Sequence, residues 1–435
     1  MKRRETRLTN SMIILRSVAI LLFVCLGFAT ITHGQHPPAV NYDESKVGQY
    51  TLPDPLVFND GTPVRTAADW TNRRRAEILE LFATNVYGHS PAKPRNISYE
   101  IFDNDPNALG GKAIRKQVTI YFSPSRSGPK EEVLIYIPKN APRPVPVFLL
   151  LSFAGNQTLS EEPQIKAGAM WNPKTREKQA APEDSRGRMQ AATERILSRG
   201  YAFAAVNYAD IEPDFNGGYV SGIRPLFFKD GQSENSNDEW GAIGAWSYGL
   251  SRIVDYFERD KDIDARRVVI IGHSRLGKTA LWTGALDQRV AMVISSCSGE
   301  GGASLSRRDY GERISNLTWS FPYWFAKNYK NFADKVDQLP VDMHELIALI
   351  APRPVYITGG ETDLWADPKG EFLAAVGAGP VFRLLGKGDL GTDQMPGLDQ
   401  PIMKTIAFHI HSGGHAITPF DWEQFLTFAD KNLKH

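Results

Sequence analysis

The residues of this chain best suited to chemistry are a serine, an aspartate and a histidine that follow separate apolar segments. Ser274 comes two residues after Gly272, where the apolar run 268–271 ends and helix-forming residues begin. A serine on so sharp a strand-to-helix turn is held out of the sheet with its hydroxyl exposed, as in a nucleophile elbow. The spacing departs from Gly-x-Ser-x-Gly, because Leu276 puts the second glycine one position late. The motif alone therefore leaves two interpretations, a nucleophile and a buried serine in an ordinary turn.

The acid and the base of a catalytic triad are expected further along the chain, each at the end of a strand. Residues 354–358 form a short apolar run typical of a buried strand, and Asp363 lies in the Gly-rich loop that follows it. Residues 405–411 alternate as a strand does, and a Ser-Gly-Gly turn then precedes His415. In the order Ser274, Asp363, His415, the histidine would take the serine proton while the aspartate fixes the histidine tautomer.

The nucleophile segment also carries a family resemblance. From Gly272 to Lys278 the chain resembles Gly-Cys/His-Ser-Arg-x-Gly-Lys, the motif of carbohydrate esterase family fifteen, the glucuronoyl esterases, and of its bacterial members in particular. Further similar segments are 186–215, 299–308, 344–354 and 363–368. The resemblance covers most of the chain after about Leu52 and implies an α/β-hydrolase fold with long loop insertions around the active site. It also implies a serine esterase that hydrolyses esters of glucuronic or 4-O-methyl-glucuronic acid, as in lignin–glucuronoxylan linkages, through an acyl-enzyme.

The resemblance assigns roles to four further residues. The backbone N–H of Arg275, the residue after the nucleophile, is placed to donate to an oxyanion, and in the family the guanidinium faces the oxyanion as well. An ion pair between Arg275 and a nearby carboxylate is the alternative. Lys278 and Glu312 match positions that hydrogen-bond the glucuronic acid ring, and Trp365 matches a wall of the site. Each also has a structural alternative: Lys278 as a solvated helix charge, Glu312 as an arginine partner and Trp365 as a core residue.

The position of the acid is less settled than that of the other two triad members. Many fungal members carry it in a Glu-Ser-Gly segment, and the aligned segment here begins with Cys297, which cannot take that role. Bacterial members often use the aspartate of Asp-Leu-Trp-Ala-Asp-Pro, which is Asp363 here. Glu300, three residues beyond Cys297, is a candidate second acid near the histidine.

Apolar periodicity predicts a doubly wound, mostly parallel central sheet flanked by helices. Short apolar runs typical of buried strands are 133–137, 147–151, 201–206, 268–271, 290–294, 355–358 and 381–385. Apolar residues at three- and four-residue intervals predict an amphipathic helix over 243–257, just before the nucleophile strand. Another helix should begin after His415, with Thr418 as its N-cap, Pro419 in its first position and Asp421 completing a capping box.

The ends of the chain and its cysteines indicate an exported enzyme. Residues 1–34 combine a basic start, an apolar run and a small residue, as in a signal peptide, so a secreted or periplasmic location is expected. A membrane anchor is the alternative. We expect residues 35–54 to form an extended N-terminal arm and residues 55–435 to form a single catalytic domain. Because Cys25 lies in the leader, the mature chain keeps only Cys297 and forms no intrachain disulfide.

Charge and motif content limit the partners. A net charge of +1 argues against nucleic acid or an anionic membrane, and no cofactor is expected. The series His409-x-His411-x-x-x-His415 could bind zinc, but no His-Glu-x-x-His motif accompanies it, so no metal is expected. The expected partners are glucuronoxylan-type carbohydrate esters, and the expected state is a monomer without stable membrane insertion after signal cleavage.

Two other functions stay open at this stage. One is an acetyl xylan esterase or another carbohydrate esterase on the same fold, which would bind the sugar on the alcohol side of the ester. The other is a carbohydrate-binding homologue without catalysis.

Overall fold

Runs of apolar residues form the strands of a large sheet in the computed structural model, which describes residues 37–233 and 235–433. The strands, in chain order, are β1 (Ser98–Asn107), β2 (Ala113–Tyr121), β3 (Lys130–Pro138), β4 (Val145–Ser152), β5 (Ala169–Trp171), β6 (Lys178–Ala180), β7 (Ala202–Asn207), β8 (Ile263–His273), β9 (Met292–Ser296), β10 (Val355–Gly360), β11 (Ile402–Met403) and β12 (Ile406–His411). The predicted signal peptide, residues 1–34, lies outside the described residues.

Ten of these strands make one sheet, in the order β1-β2-β3-β7-β4-β8-β9-β10-β12-β11, and β5 and β6 form a separate hairpin. The six central strands β7, β4, β8, β9, β10 and β12 are parallel to one another. The strands β1 to β3 at one edge and β11 at the other are antiparallel. Because the carboxyl ends of parallel strands meet at one edge, the loops after β8, β10 and β12 converge there.

Helices cover both faces of the sheet. The described α-helices of six residues or more are α1 (Arg75–Phe82), α2 (Gln190–Ser198), α3 (Ala242–Phe257), α4 (Arg275–Leu286), α5 (Ile314–Ser320), α6 (Met343–Ala348), α7 (Pro368–Leu384) and α8 (Pro419–Leu433). Alternate residues of β4 serve the two faces: Val147 and Leu149 belong to the core that includes Trp246 of α3. Phe148 belongs to the core that includes Phe425 of α8. The predicted doubly wound sheet is confirmed.

One predicted strand is wrong. Residues 381–385 were expected to form a strand, but they end the helix α7 (Pro368–Leu384). Asp367 caps that helix by accepting a hydrogen bond from the N–H of Gly370, and Pro368 occupies its first position. A short apolar run cannot be assigned to a strand or a buried helix by periodicity alone. Here Val381 and Phe382 are simply part of the buried face of α7.

The segment predicted as an N-terminal arm is attached to the body of the protein near α5. The backbone carbonyl of Pro38 accepts a hydrogen bond from Asn316 at 2.9 Å, and that of Asn41 accepts one from the N–H of Gly311 at 2.8 Å. Glu44 pairs with the buried Arg308. None of the described helices is long and apolar enough to cross a bilayer.

Candidate active site

Ser274 lies on a strained turn between β8 and α4. Its backbone angles are φ 58° and ψ −131°, which few residues other than glycine adopt. Gly272 makes the turn possible, because a Cβ at that position would lie 1.9 Å from the carbonyl oxygen of Leu276. The strand, the sharp turn and the helix are those of a nucleophile elbow, despite the late second glycine.

His415 and Asp363 meet at the same edge of the sheet. They follow the neighbouring parallel strands β12 and β10, and the Nδ1–H of His415 donates to Oδ2 of Asp363 over 2.6 Å. The Asp363 side chain is 5% exposed, whereas that of His415 is 41% exposed. A buried carboxylate therefore orients a ring that is open to solvent, which is the arrangement a general base requires.

Asp421, the predicted capping residue, also stabilises the loop that carries His415. Its carboxylate accepts from the N–H of Thr418 at 2.6 Å and lies 2.5 Å from His409 and 3.1 Å from His411. Burial raises the pKa of Asp421, but these hydrogen bonds outweigh burial and hold the pKa well below its usual value. The histidines considered for zinc are thus divided between two carboxylates, His409 and His411 with Asp421 and His415 with Asp363.

Cys297 lies at the end of β9, next to the Asp363–His415 pair. It is buried and free, and its Sγ, a carboxylate oxygen of Asp363 and a ring nitrogen of His415 lie within 4.8 Å of one another. Burial raises the pKa of the thiol well above its usual value. Glu371 holds the adjoining turn by accepting from the N–H groups of Ser298 and Gly299, at 2.7 and 3.0 Å. A neutral thiol therefore stands beside the Asp363–His415 pair.

Glu300, the candidate second acid, is engaged elsewhere. Its Oε1 accepts hydrogen bonds from the hydroxyls of Ser306 at 2.6 Å and Tyr329 at 2.5 Å. Burial raises its pKa to about 7, although these two hydrogen bonds lower it. As far as the described residues define the wall of the cavity at Ser274, Glu300 does not line it. Its assistance to His415 stays a prediction, and these contacts favour a structural role.

The predicted residues come together around one cavity of about 350 Å³, which we call the catalytic cavity. Its lining residues are Ser274, Arg275, Lys278, Cys297, Ser298, Gly299, Glu312, Phe321, Trp324, Asp363, Trp365, Ala366 and His415. Seven of the eight residues that the sequence singled out are on this wall, and Glu300 is the exception. Lys278 and Glu312 carry charges suited to binding sugar hydroxyls, and Phe321, Trp324 and Trp365 supply aromatic rings to the same wall.

Lys278 and Glu312 form a buried ion pair at the floor of the catalytic cavity. The ammonium of Lys278 donates to Oε2 of Glu312 at 2.8 Å and to the backbone carbonyls of Ser298 and Glu300 at 2.7 and 2.6 Å. Oε1 of Glu312 accepts from the indole N–H of Trp365 at 3.0 Å. Since an ammonium has three donors, a sugar hydroxyl that binds Lys278 must replace or share one of these acceptors.

Arg275 forms an ion pair and also lines the catalytic cavity. Its Nη1 pairs with Oδ2 of Asp214, so the ion-pair alternative is present. Its guanidinium carbon also lies 4.9 Å from the ring centre of Trp324 and 5.3 Å from that of Phe153. Its backbone N–H is at the first position of α4, where the helix offers it no acceptor. The ion pair holds the guanidinium at the cavity wall, and donation of the backbone N–H to an oxyanion stays a prediction.

Sequence reasoning missed Asp214 and did not assign the aromatic segment around Trp324. Oδ1 of Asp214 accepts from the hydroxyl of Tyr323 at 2.9 Å and from the indole N–H of Trp324 at 2.6 Å. Asp214 lies in the segment 186–215 that resembles the family, which was the available signal. Trp324 is 3% exposed, yet it and Phe321 also line the catalytic cavity.

The elbow, the Asp363–His415 pair and the sheet topology define an α/β-hydrolase that acts on carboxylic esters. The family model of fungal glucuronyl esterases matches residues 232–386, and carbohydrate esterase MZ0003, from an unknown prokaryotic organism, is 44% identical over 91% of this chain and 93% of its own. The chain belongs to carbohydrate esterase family 15, the glucuronoyl esterases.

Solved structures of this family agree over nearly the whole chain. The glucuronoyl esterase from Solibacter usitatus is 49% identical, with a TM-score of 0.86 over 90% of this chain and all of that one. A promiscuous esterase of the family from a marine bacterial metagenome is 44% identical, with a TM-score of 0.83 over 91% of this chain and all of that one. The expected α/β-hydrolase fold is therefore confirmed.

Proposed function

We propose that this chain is a secreted serine esterase that hydrolyses esters of glucuronic and 4-O-methyl-glucuronic acid. The observation that carries the proposal is the 2.6 Å contact between His415 and Asp363 beside Ser274, at the mouth of a cavity with a polar floor. The relatives support the substrate class. Among them, a 4-O-methyl-glucuronoyl methylesterase from Schizophyllum commune is 29% identical over 77% of this chain and 74% of its own.

The mechanism follows from the three residues and the turn that carries Ser274. Oγ of Ser274 attacks the ester carbonyl carbon while His415 takes its proton, and Asp363 stabilises the resulting imidazolium. The oxyanion accepts from the backbone N–H of Arg275 and faces its guanidinium, which makes that interaction charge-assisted. His415 then protonates the departing alcohol, and water activated by His415 hydrolyses the acyl-enzyme.

The acyl half of the ester is proposed to occupy the catalytic cavity. Lys278 and Glu312 would hydrogen-bond the hydroxyls of the sugar ring, and Trp365, which is 39% exposed, would form the wall against it. Because the ester carbonyl is neutral, Lys278 would act through hydrogen bonds and not as a partner of a carboxylate. Glu312 is hydrogen-bonded to both Lys278 and Trp365. A sugar hydroxyl that binds the carboxylate of Glu312 would therefore affect the contacts of all three side chains.

The proposal extends to the domain organisation, the location and the oligomeric state of the enzyme. We expect a single catalytic domain over 55–435, exported through the predicted signal peptide 1–34 and acting as a monomer on glucuronoxylan-type esters outside the cytoplasm. The N-terminal arm contacts the loop that carries Glu312 through Asn41, which accepts from the N–H of Gly311 and donates to the carbonyl of Asp309. These contacts would keep the floor of the catalytic cavity in place.

The purified enzyme should release glucuronic acid from benzyl glucuronate far faster than it releases acetate from acetylated xylan. Only the first substrate places the sugar on the acyl side, and an acetyl group has no ring hydroxyls that could bind Lys278 and Glu312, so we expect kcat/KM to differ by about 100-fold or more. The measurement is acid release from both substrates at matched ester concentration. A preference for acetylated xylan would instead indicate the acetyl xylan esterase alternative, and no turnover of either would indicate a binding protein.

A further inference from the structure

A cleft lined by lysines lies apart from the catalytic cavity but on the same edge of the sheet. It has a volume of about 440 Å³, and we call it the lysine cleft. Its charged residues are Lys130, Glu132, Lys166, Lys178 and Asp210. The three lysines come from the start of β3, the loop before β5 and the start of β6. Ammonium groups from three separate segments of the chain thus converge on one space.

The lysine cleft is near the catalytic cavity because the two follow nearby strands. Asp210 lies shortly after the end of β7, and Ser274 directly follows β8. Only β4 separates β7 from β8 in the sheet, and at the usual spacing of strands their ends are about 10 Å apart. The segment that carries Asp210 continues to Asp214, which pairs with Arg275 in the wall of the catalytic cavity. An oligosaccharide of several units is therefore long enough to contact both sites.

The positive charges of the lysine cleft are only partly paired. Lys166 forms an ion pair with Glu132. The ammonium groups of Lys130 and Lys178 lie over aromatic rings, 5.6 and 5.4 Å from the ring centres. No carboxylate among the residues that the structure describes forms an ion pair with either lysine. Two ammonium groups at this cleft are therefore available for charge-assisted hydrogen bonds to an anion.

Asp210 opposes an anion only when its carboxyl group is ionised. Burial is the main cause that raises the pKa of Asp210 to about 7, and the charge of Glu132 adds to it, whereas Lys178 and Lys166 lower the pKa. Below that pH the carboxyl group is protonated and can donate a hydrogen bond to an oxygen of a ligand. The lining residues then carry three ammonium groups against the single carboxylate of Glu132.

A carboxylate carried by a sugar is the anion that suits this wall. As far as the described residues define it, the wall has no aromatic side chain, and Ser127, Gly168 and Ser221 are among its small residues. Such a wall suits a hydroxylated ligand better than a planar, stacking one. A glucuronoxylan whose uronic acids are only partly esterified carries free carboxylates on the same chain as the ester that is hydrolysed.

We propose that the lysine cleft is a second carbohydrate site, which binds a free uronate carboxylate of the polysaccharide whose esterified glucuronoyl group occupies the catalytic cavity. The proposal rests on the proposed function, because it takes glucuronoxylan-type esters as the substrate. It assigns Lys130 and Lys178 to affinity for the polymer, and it gives them no part in the chemistry at Ser274.

Two esters test the proposal, a partly methyl-esterified glucuronoxylan and benzyl glucuronate, which has no free carboxylate. The double variant Lys130→Gln/Lys178→Gln, called the cleft variant, should raise KM for the polymer about fivefold, because each charge contact at a partly exposed site contributes modestly. We expect kcat on the polymer, and both constants on benzyl glucuronate, to stay at wild-type values. Lys130 is half-buried and Lys178 exposed, so glutamine at these positions should leave the fold intact. An unchanged KM for the polymer overturns the proposal, and so does an equal rise on both esters.

Matched controls separate the lysine cleft from the net charge of the protein. Lys335→Gln/Lys387→Gln removes two charges at exposed positions outside both sites and should keep the wild-type KM. Lys130→Arg/Lys178→Arg keeps the charges and should restore most of the affinity for the polymer. A fully methyl-esterified glucuronoxylan, which has no free carboxylate, should give the same KM with the wild type and the cleft variant. If the control variant loses as much affinity as the cleft variant, net charge explains the effect and the proposal is wrong.

A binding measurement keeps this proposal distinct from the proposed function. In titration calorimetry, a xylo-oligosaccharide with two free 4-O-methyl-glucuronic acid groups should bind the wild type about fivefold more tightly than the cleft variant. The neutral xylo-oligosaccharide of the same length should not distinguish the two proteins. If neither ester is hydrolysed, the proposed function fails, and the titration alone then decides whether the lysine cleft binds uronates. Equal affinities of the two proteins for the charged oligosaccharide overturn the assignment of this cleft.

Discussion

Ser274→Ala should abolish ester hydrolysis and leave the fold intact, lowering kcat by about 10⁶, the loss measured when a triad nucleophile is removed from a serine hydrolase. The large effect is expected because the variant keeps the oxyanion donor and the histidine but has no nucleophile to attack the ester carbon. Alanine keeps the Cβ that the strained backbone at φ 58° already accommodates, so little additional strain is introduced. Steady-state hydrolysis of benzyl glucuronate checks this result.

The fold of that variant must be verified independently. Thermal unfolding and circular dichroism should match the wild type, and Ser198→Ala, at an exposed position of α2, should retain full activity. Substantial turnover by a pure, folded Ser274→Ala variant would contradict the mechanism and would return Ser274 to the alternative of a buried turn residue.

Asp363→Asn should lose about 10⁴ in kcat, whereas Glu300→Gln should lose no more than about tenfold. An amide in place of the Asp363 carboxylate can hold His415 in the wrong tautomer and cannot stabilise the imidazolium. Glutamine at position 300 can still accept from Ser306 and Tyr329, so the buried loop keeps its hydrogen bonds. The measurement is kcat for both variants on the same ester, with unfolding temperatures as the control. The opposite ranking would move the acid to the Glu300 loop.

The sequence was sufficient to predict the parts of the fold that local patterns specify. The helix α8 begins where Thr418, Pro419 and Asp421 predicted, because a capping box is contained within four residues. The parallel strands were visible as apolar runs because both of their faces are buried. Residues 381–385 were assigned wrongly because a short run with four apolar residues fits a buried helix as well as a strand.

The parts of the site that depend on distant contacts could not be read from the sequence. The elbow is a local sequence motif and the triad residues follow a fixed order along the chain, so the sequence could indicate Ser274, Asp363 and His415. The pairing of Arg275 with Asp214, 61 residues away, is decided by packing. The same holds for the acceptors of Lys278, since Glu312 lies 34 residues from it and no periodicity connects the two.

The aromatic segment around Trp324 shows why composition alone could not assign a role to these residues. A high density of rings is usual in a core, and Trp324 is nearly buried. Its indole nevertheless forms part of the wall beside Arg275, because the ion pair with Asp214 draws the guanidinium against the ring. A residue can thus be packed as core on one side and line a cavity on the other.

The comparison of methyl glucuronate with methyl galacturonate tests the central claim most directly. The two esters have the same leaving group and the same reacting carbonyl, and they differ only in the orientation of one ring hydroxyl. A site that hydrogen-bonds this hydroxyl leaves buried polar groups unpaired when it is inverted. We expect a kcat/KM at least about 100-fold higher for the glucuronate, and equal values for the two esters would contradict recognition of the glucuronoyl group.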